Sequence, residues 1–278
     1  MTIACALQDA TKLLTDAGVE EAALDAALIL GEVSGITRAQ VLAHPETLLT
    51  DEQEQAMKAL LLRRAQREPL AYLIGRQEFM GLSFAVSPGV LIPRQDTEML
   101  AEEAMRHLHD GMRILDLCTG TGCVALSLLH YSNDTSAVVT DLSETAIERV
   151  KDNAAALCLT ERITPVQADL WPGACGKFDL VTANPPYIAT KIIDTLQPEV
   201  RDHEPREALD GGEDGLCFYR RIIAQAGEYL YSDGWLLVEI GYDQGEAVRG
   251  LFEDAGYKNI GILKDYGGND RVVKGCYY

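Results

Sequence analysis

The sequence predicts an α/β fold for its larger part, with a doubly wound and mostly parallel sheet, and a small helical bundle before it. From residue 93 onward, short apolar runs alternate with stretches of helical periodicity, which is the pattern of a parallel sheet covered on both faces. Before residue 73, apolar residues recur at helical spacing alone. A chain of 278 residues is long enough to form both parts as separate domains.

The first 72 residues contain four amphipathic segments with recognisable ends. Segments 3–18 and 20–35 each stop at a glycine, the residue that most often ends a helix. Thr37 stands where it can cap a third, short helix. The fourth segment, "DEQEQAMKALLLRRAQREP", begins with acidic residues and ends with basic ones before Pro69, which suits the helix dipole. We therefore expect a helical domain over residues 1–72.

A β-hairpin is expected to link the two domains over residues 73–92, because apolar and polar residues alternate in "EFMGLSFAV" on both sides of Gly81. The α/β domain then takes residues 93–278. Its last two apolar runs lie too close together for a parallel crossover, so one late antiparallel strand is expected. The predicted strands of this domain are 113–117, 137–140, 163–167, 178–183, 235–240, 258–263 and 271–276.

Composition excludes several classes of protein. A net charge of −19 argues against a bulk nucleic-acid binder, which normally carries a basic surface. The chain has no run of 18 apolar residues and no basic start followed by an apolar segment, so we expect no membrane span and a cytoplasmic location. Seven cysteines without a CxxC pair indicate free thiols, and five histidines without an HxxxH pattern indicate no metal site.

The stretch "VTANPPYI" places a rigid polar corner directly after a buried strand. Pro185 cannot donate to a sheet ladder, so it ends the strand and holds Asn184 in an extended conformation. The Asn184 side chain and the Pro185 backbone then offer two neighbouring carbonyl acceptors, which suit a planar NH2 group. Tyr187 can lie against the same flat group. Ligands of open α/β sheets bind at this edge, so we interpret the corner as functional.

A glycine loop follows another predicted strand in "RILDLCTGTGCVAL". Gly120 and Gly122 allow the backbone to approach a ligand closely, and with Ala125 they also fit the pattern of dinucleotide binders. Asp116 ends the strand just before the loop, where a carboxylate repels a pyrophosphate but can hold an ammonium group.

Two further strands also end on aspartates. Asp141 stands where its carboxylate can accept hydrogen bonds from both hydroxyls of a ribose. Asp169 can accept a hydrogen bond from an adenine amino group. Trp171 is expected to pack at the edge of the same adenine pocket. An ammonium, a ribose and an adenine without a phosphate anchor describe S-adenosylmethionine better than they describe NAD.

These motifs resemble class I S-adenosylmethionine-dependent methyltransferases that methylate a planar nitrogen. The stretches "EPLAYLIGRQEF", "GVLIPRQDTE", "EPREALDGGEDGL" and "DYGGNDRVVKG" resemble more narrowly the PrmC/HemK family, the N5-glutamine methyltransferases of peptide chain release factors. The resemblance covers nearly the whole chain. The family more often has proline where Gln95 stands and glycine where Cys118 stands.

The resemblance implies a Rossmann-like methyltransferase sheet and a substrate, the Gly-Gly-Gln loop of class I release factors. It implies no metal, no membrane and no direct contact with nucleic acid, with S-adenosylhomocysteine as the second product. The helices of residues 1–72 would dock the release factor. The residues implied to hold the methyl donor are Asp116, Thr119, Gly120, Thr121, Gly122, Asp141, Asp169, Trp171 and Asn184. The residues implied to hold the glutamine amide are Asn184, Pro185, Pro186, Tyr187 and Arg94, with Asn184, Pro185 and Tyr187 at the reacting group.

Several alternatives remain open at this level. Arg94 and Glu98 either line the site or form a helix-capping pair, and His203, Glu204 and Arg206 form either a lid or a surface cluster of ion pairs. The substrate could instead be a glutamine of a ribosomal protein, or an adenine N6 amine, which would need a flipped base and a basic groove. The first 75 residues hold 6 basic and 11 acidic residues, which argues against the adenine reading. A non-enzymatic scaffold is a further alternative, against which the intact corner argues.

Overall fold

The computed structural model describes all 278 residues, which separate into two compact units. One unit comprises residues 1–76 together with the short segment 197–203, and the other comprises residues 77–196 and 204–278. The helices are α1 (Ile3–Asp16), α2 (Ala22–Ser34), α3 (Arg38–Ala43), α4 (Asp51–Ala65), α5 (Leu70–Ile74), α6 (Glu98–His107), α7 (Cys123–His130), α8 (Glu144–Ala156), α9 (Pro198–His203), α10 (Cys217–Tyr229) and α11 (Gly245–Asp254). The strands are β1 (Arg76–Phe79), β2 (Leu82–Ala85), β3 (Arg113–Leu117), β4 (Ser136–Asp141), β5 (Ile163–Gln167), β6 (Phe178–Ala183), β7 (Leu230–Glu239), β8 (Lys258–Lys264) and β9 (Asp270–Cys276).

The helical unit contains the four helices that periodicity predicts. Thr37 and Thr50 begin α3 and α4 with capping boxes, in which the third helical residue is a glutamine that binds back to the cap. Gly35 ends α2 in the left-handed conformation, which a glycine adopts without steric strain. The apolar faces of α1 and α2 meet in a core that includes Leu14 and Leu30. The short helices α5 and α9 were not predicted.

A buried ion-pair network ties residues 197–203 into the helical unit. The Arg64 guanidinium donates to Asp25 at 2.7 Å and to Glu199 at 3.0 Å, and the Arg67 guanidinium donates to both oxygens of Glu199. The Arg64 side chain is 8% exposed, so its charge is compensated by these carboxylates rather than by water. The network explains why a segment so distant in sequence packs with the N-terminal helices.

The larger unit holds a seven-stranded sheet in the order β5-β4-β3-β6-β7-β9-β8. The first five strands along this order run parallel, and β9 pairs antiparallel with both β7 and β8. The predicted α/β fold and its late antiparallel strand are therefore confirmed. The strand order reverses direction between β3 and β6, and in such sheets ligands bind at that point, at the carboxyl ends of the strands.

The strand β7 begins at Leu230, five residues before the predicted start at Trp235. The intervening residues are mostly polar and exposed and include Gly234, a composition that reads as a turn. The pairing of β6 with β7 is also irregular there, because the register shifts between Phe178 and Leu180. The local sequence favours a turn, and pairing with the neighbouring strand overrides it.

The predicted hairpin is present as β1 and β2. Met80 and Gly81 form the turn, and both have positive φ, as a tight two-residue hairpin turn requires. Phe79 and Phe84 are buried and meet edge to face with ring centroids 6.1 Å apart. Glu98 at the start of α6 accepts a hydrogen bond from the Met80 amide at 2.6 Å, so this carboxylate anchors the hairpin. No helix of the structure combines the length and the apolar character needed to cross a bilayer.

Candidate active site

A cavity of about 370 Å³ opens at the carboxyl edge of the parallel strands, a volume within the range of small-molecule sites. The loops after β3, β4, β5 and β6 all contribute to its wall, together with residues 89–94 and with Pro205, Glu207 and Ala208. Of the thirteen residues predicted for the site, nine line the cavity; they are Arg94, Asp116, Thr119, Gly120, Thr121, Asp141, Asp169, Asn184 and Pro186. Gly122 does not line the cavity itself, although its neighbours Thr121 and Cys123 do.

Asp116 lies at the floor of the cavity and is 2% exposed. One carboxylate oxygen accepts from the Thr119 hydroxyl at 2.6 Å, and the other accepts from the Thr182 hydroxyl at 2.7 Å. Burial raises the pKa of Asp116 to about 6 even though both hydroxyls lower it, and the nearby charge of Asp141 raises it further. No cation of the protein compensates this carboxylate, so it is suited to receive a positively charged ligand group.

The glycine loop and Asp141 hold each other in place. The Gly120 amide donates to one oxygen of Asp141 at 2.9 Å, and the Ser143 amide donates to the other at 2.9 Å. Gly120 and Gly122 have φ of 55° and 80°, and a Cβ on Gly122 would lie 3.1–3.3 Å from Leu126 and Val150 side chains. Glycine is therefore required both for the backbone conformation and for the close packing of the loop on its helices. Burial raises the pKa of Asp141 as well.

Asp169 and Trp171, although close in sequence, have different surroundings. Asp169 lines the cavity, and its exposed carboxylate pairs with Arg221 at 2.8 Å. Trp171 does not line the cavity; its ring stacks on Tyr229 with centroids 4.5 Å apart. The expectation that Trp171 packs at the adenine pocket therefore receives no support from the structure, because the chain turns away from the cavity after Leu170, which has a φ of 68°.

The proline corner follows β6 without interruption, as the sequence predicts. Asn184 and Pro186 line the cavity, whereas Pro185 and Tyr187 do not. The Tyr187 phenol instead points to a buried carboxylate and donates to Glu239 Oε1 at 3.3 Å. Burial and the charge of Glu239 both raise the pKa of Tyr187, so the phenol keeps its proton. The ring thus lies behind the corner rather than across the cavity from it.

The side-chain amide of Asn184 has a defined orientation. Its nitrogen donates to the Thr97 hydroxyl at 3.2 Å, which leaves the amide oxygen as the acceptor available to a ligand in the cavity. Thr97 is 3% exposed and ends the 3-10 turn that leads into α6. Thr97 was not predicted as a site residue, although it lies within the "IPRQDTE" stretch that carried the family resemblance.

The corner is supported from behind by a glycine-rich loop. A Cβ on Gly211 would lie 2.8 Å from the Pro186 oxygen, and a Cβ on Gly215 would lie 2.4 Å from the Tyr187 oxygen. The Tyr187 oxygen also accepts from Gln244 Nε2 at 2.9 Å. The support role of this loop was not predicted, although the repeated glycines in "DGGEDG" were an available signal.

Arg94 lines the cavity and pairs with Glu204, whose other oxygen accepts from the Ile92 amide at 3.1 Å. Of the two alternatives for Arg94 and Glu98, Arg94 is therefore at the site while Glu98 binds the hairpin. Glu204 is 6% exposed, which makes it a buried anchor for Arg94. Arg206 is exposed and lies near Asp194 and Asp210, as a surface cluster would.

Comparisons with known proteins agree on one family. Residues 6–75 match the PrmC N-terminal domain, and residues 94–199 match the methyltransferase small domain. The chain is 40% identical to a release factor glutamine methyltransferase of Agrobacterium fabrum, over 98% of this chain and 96% of that protein. It is 43% identical to one of Geobacter sulfurreducens, over 94% and 92%. A methyltransferase structure from Pyrococcus furiosus shares the fold, with a TM-score of 0.54, 15% identity, and coverage of 79% of this chain and 96% of that one.

Proposed function

The chain belongs to the release factor glutamine methyltransferases, and from this premise we propose which of its residues hold each reactant. The enzyme transfers a methyl group from S-adenosylmethionine to the side-chain amide nitrogen of a release factor glutamine. We propose that this glutamine belongs to the Gly-Gly-Gln loop of class I release factors. Asn184 and Pro185 receive its amide, while the loop after β3 and the ends of β4 and β5 receive the donor.

The chemistry of the cavity wall fits S-adenosylmethionine. The uncompensated carboxylate of Asp116 suits the donor's ammonium group, and its pKa of about 6 leaves it charged at neutral pH. Asp141, held by two backbone amides, keeps lone pairs for the ribose hydroxyls. Asp169 stands at the next strand end, where it can accept from the adenine amino group. When bound, the donor supplies a methyl group on a positively charged sulfonium.

The protein has to make a poor nucleophile react, because the lone pair of an amide nitrogen is delocalised into its carbonyl. Asn184 Oδ1, at the cavity wall, accepts one N–H of the glutamine amide. The neighbouring Pro185 carbonyl is the acceptor proposed for the other N–H, although Pro185 itself does not line the cavity. This arrangement orients the nitrogen toward the donor, and such positioning contributes on the order of 7–11 kcal/mol in well-aligned reactions. It also stabilises the positive charge that develops on nitrogen during transfer, since both partners are fixed dipoles with negative ends at the nitrogen.

The structure offers no general base at the corner. The Asn184 amide cannot accept a proton at neutral pH, and Tyr187 keeps its own proton. We infer that the nitrogen attacks as a neutral amide and loses its proton after methyl transfer. Pro185 and Pro186 also fix the backbone of the corner, because a proline ring restricts φ and has no N–H group that could compete as a donor.

The helical unit is proposed as the docking surface for the release factor. Its charge supports this role, since residues 1–75 carry 11 acidic and 6 basic side chains and favour a partner with a basic surface. A salt titration of the Michaelis constant for the release factor tests this proposal. An electrostatic dock gives a constant that rises with ionic strength, whereas a constant that stays flat from low to high salt contradicts it.

One observation carries the proposed site: Asn184 lines the cavity with its amide nitrogen already bound to Thr97 and its oxygen free. The test incubates the enzyme with methyl-labelled S-adenosylmethionine and one of four acceptors. These are a release factor, the same factor with its Gly-Gly-Gln glutamine changed to alanine, a ribosomal protein mixture and duplex DNA. Label on the native factor alone supports the proposal, and label on the alanine variant refutes the assigned acceptor. Label on ribosomal protein or DNA moves the assignment to those substrates.

A further inference from the structure

The amino-acid end of the methyl donor carries two charges, and Asp116 can receive only the positive one. S-adenosylmethionine has an ammonium group and a carboxylate on the same carbon atom, so both enter the site together. Asp116 is a buried carboxylate on the cavity wall and would repel the donor's carboxylate. A desolvated carboxylate is costly unless a cation or several N–H groups receive it. The donor therefore needs a second charged partner on this wall.

Arg94 is the only cationic side chain that lines the cavity. The other charged side chains of the wall are all carboxylates, namely Asp116, Asp141, Asp169 and Glu207. A ligand carboxylate that enters the cavity is repelled by each of these four groups and attracted by Arg94 alone. The charges of the wall thus define one place for an acidic group of the donor.

Arg94 lies at the end of the cavity where Asp116 is found. The Arg94 backbone oxygen accepts from the Thr97 amide at 3.1 Å, and the Thr97 hydroxyl binds the Asn184 side chain at 3.2 Å. Asn184 directly follows β6, and Thr182 of that strand donates to Asp116 at 2.7 Å. A continuous path of hydrogen bonds and one strand end therefore connects the turn at Arg94 with the carboxylate proposed for the ammonium group.

The order of the strands supports the same placement. The strands β5, β4, β3 and β6 lie side by side in this order. The partners proposed for adenine and ribose stand at the carboxyl ends of β5 and β4, and Asp116 belongs to β3. Adenine, ribose and the amino-acid end follow one another in the donor. Its carboxylate therefore lies toward β3 and β6, on the side where the Arg94 turn contacts Asn184.

The Arg94 guanidinium is held on one side and keeps further donors. It donates through Nη2 to Glu204 Oε1, while Glu204 Oε2 accepts from the Ile92 amide at 3.1 Å. The Glu204 side chain is 1% exposed, whereas the Arg94 side chain is 39% exposed. A guanidinium has five N–H donors in one plane, and such a fork can bind a carboxylate through two parallel hydrogen bonds. The buried carboxylate thus fixes a fork that can still receive a second one.

We propose that Arg94 binds the carboxylate of the methyl donor and thereby selects for donors that carry one. This inference rests on the proposed placement of S-adenosylmethionine in the cavity and deepens it. It replaces the role in glutamine binding that the family resemblance implied for Arg94. Asp116 and Arg94 then receive the two opposite charges of the donor's amino-acid end.

Calorimetry tests the proposal with two ligands that differ in the carboxylate alone, S-adenosylhomocysteine and its decarboxylated analogue. The wild type should bind S-adenosylhomocysteine roughly 10- to 100-fold more tightly, the effect of hydrogen bonds between charged groups. In Arg94→Met this preference should vanish or reverse, because every charged side chain that remains on the wall is a carboxylate. Equal binding of both ligands by the wild type, or an unchanged preference in Arg94→Met, overturns the proposal.

Two further variants control for the loss of the ion pair. Arg94→Met leaves the buried Glu204 without its cation, which destabilises a fold. The double variant Arg94→Met/Glu204→Gln removes both charges and keeps an acceptor for the Ile92 amide, and it should lose the preference in the same way. Arg249→Met is the matched control, because Arg249 is 46% exposed, pairs with Glu253 on α11 and lies outside the cavity. A preference that survives in the double variant, or that is lost in Arg249→Met, contradicts the proposal.

Two donor-site variants distinguish this inference from the proposed function. If Asp116→Asn and Asp141→Ala bind S-adenosylhomocysteine as tightly as the wild type, the placement of the donor itself is wrong. If both variants bind it more weakly but Arg94→Met keeps the preference, only the role of Arg94 is wrong. An unchanged preference together with a raised Michaelis constant for the release factor in Arg94→Met would assign Arg94 to the glutamine loop instead.

Discussion

Replacing Asp116 by asparagine should make the donor-free protein more stable while it weakens donor binding. The carboxyl group has a pKa of about 6 in the folded chain, against 3.8 for an unperturbed aspartate. Because the folded state binds this proton more tightly than the unfolded state, the carboxyl group does not lower the free energy of unfolding in strong acid, where it is protonated in both states. The destabilisation grows as pH rises from about 4 to about 6 and then stays constant.

The magnitude follows from the same two values. A difference of 2.2 between 6 and 3.8 corresponds to about 3 kcal/mol above pH 6 and to roughly half that at pH 5. Asparagine carries no charge and keeps one acceptor for Thr119 or Thr182, but it weakens the second hydrogen bond by about 1 kcal/mol. We therefore expect Asp116→Asn to raise the free energy of unfolding by roughly 1–3 kcal/mol at pH 8 and by less at pH 5.

Urea denaturation at both pH values measures this gain, and calorimetry measures the affinity for S-adenosylhomocysteine. That affinity should fall roughly 10- to 100-fold, because the ligand's ammonium group loses a charged hydrogen-bond partner. Asp179→Asn is the matched control: this carboxylate accepts from the Arg113 amide at the opposite end of β6 and lies outside the cavity. A loss of stability in Asp116→Asn at pH 8, or a gain that is equal at pH 5, would refute the reasoning.

Three further predictions concern the same site. In the wild type, affinity for S-adenosylhomocysteine should fall about 10-fold between neutral pH and pH 5. The reason is that Asp116, with a pKa of about 6, must be deprotonated to bind the ligand's ammonium group. Calorimetry across this range should show no such fall in Asp116→Asn. Asn184→Ala should lower kcat roughly 10²–10³-fold and leave the affinity for the donor unchanged. Asp141→Ala should mainly weaken donor binding. If Asn184→Ala lowered kcat and donor affinity equally, Asn184 would be a donor-binding residue. Gly215→Ala should lower both thermal stability and kcat, because its Cβ would lie 2.4 Å from the Tyr187 oxygen at a φ of 75°; a variant with wild-type melting and turnover would show that the corner does not depend on this packing.

Hydrophobic periodicity was sufficient to predict most of the fold. Three strands, β3, β5 and β6, have the predicted bounds. Of these, β3 and β6 are short, mostly apolar runs that are almost entirely buried. The polar residues at the carboxyl ends of β3, β4, β5 and β6 could be assigned to one site for a related reason. Parallel strands share one carboxyl edge, so residues after different strands meet there whatever the strand order.

Sequence proximity was misleading where the chain turns sharply. Trp171 stands two residues after Asp169, yet it stacks on Tyr229 outside the cavity. Tyr187 is three residues from Asn184, which lines the cavity, yet its phenol points to Glu239 behind the corner. Side-chain direction depends on backbone turns and on the neighbours that receive the side chain, and neither can be read from spacing alone.

By itself the sequence determined the α/β class and the helical character of the N-terminal segment, and it was enough to propose the edge of the sheet that carries the site and the residue types for each reactant. Only the tertiary structure decided how those residues are oriented. Thr97 binds the Asn184 side chain, whereas Glu239, Gln244 and the glycine-rich loop contact the Pro186–Tyr187 end of the corner. All of them come from segments distant in sequence. A hydrogen bond depends on the position of both partners to within a few tenths of an ångström, and contacts over such sequence separations leave no periodic signal in the chain.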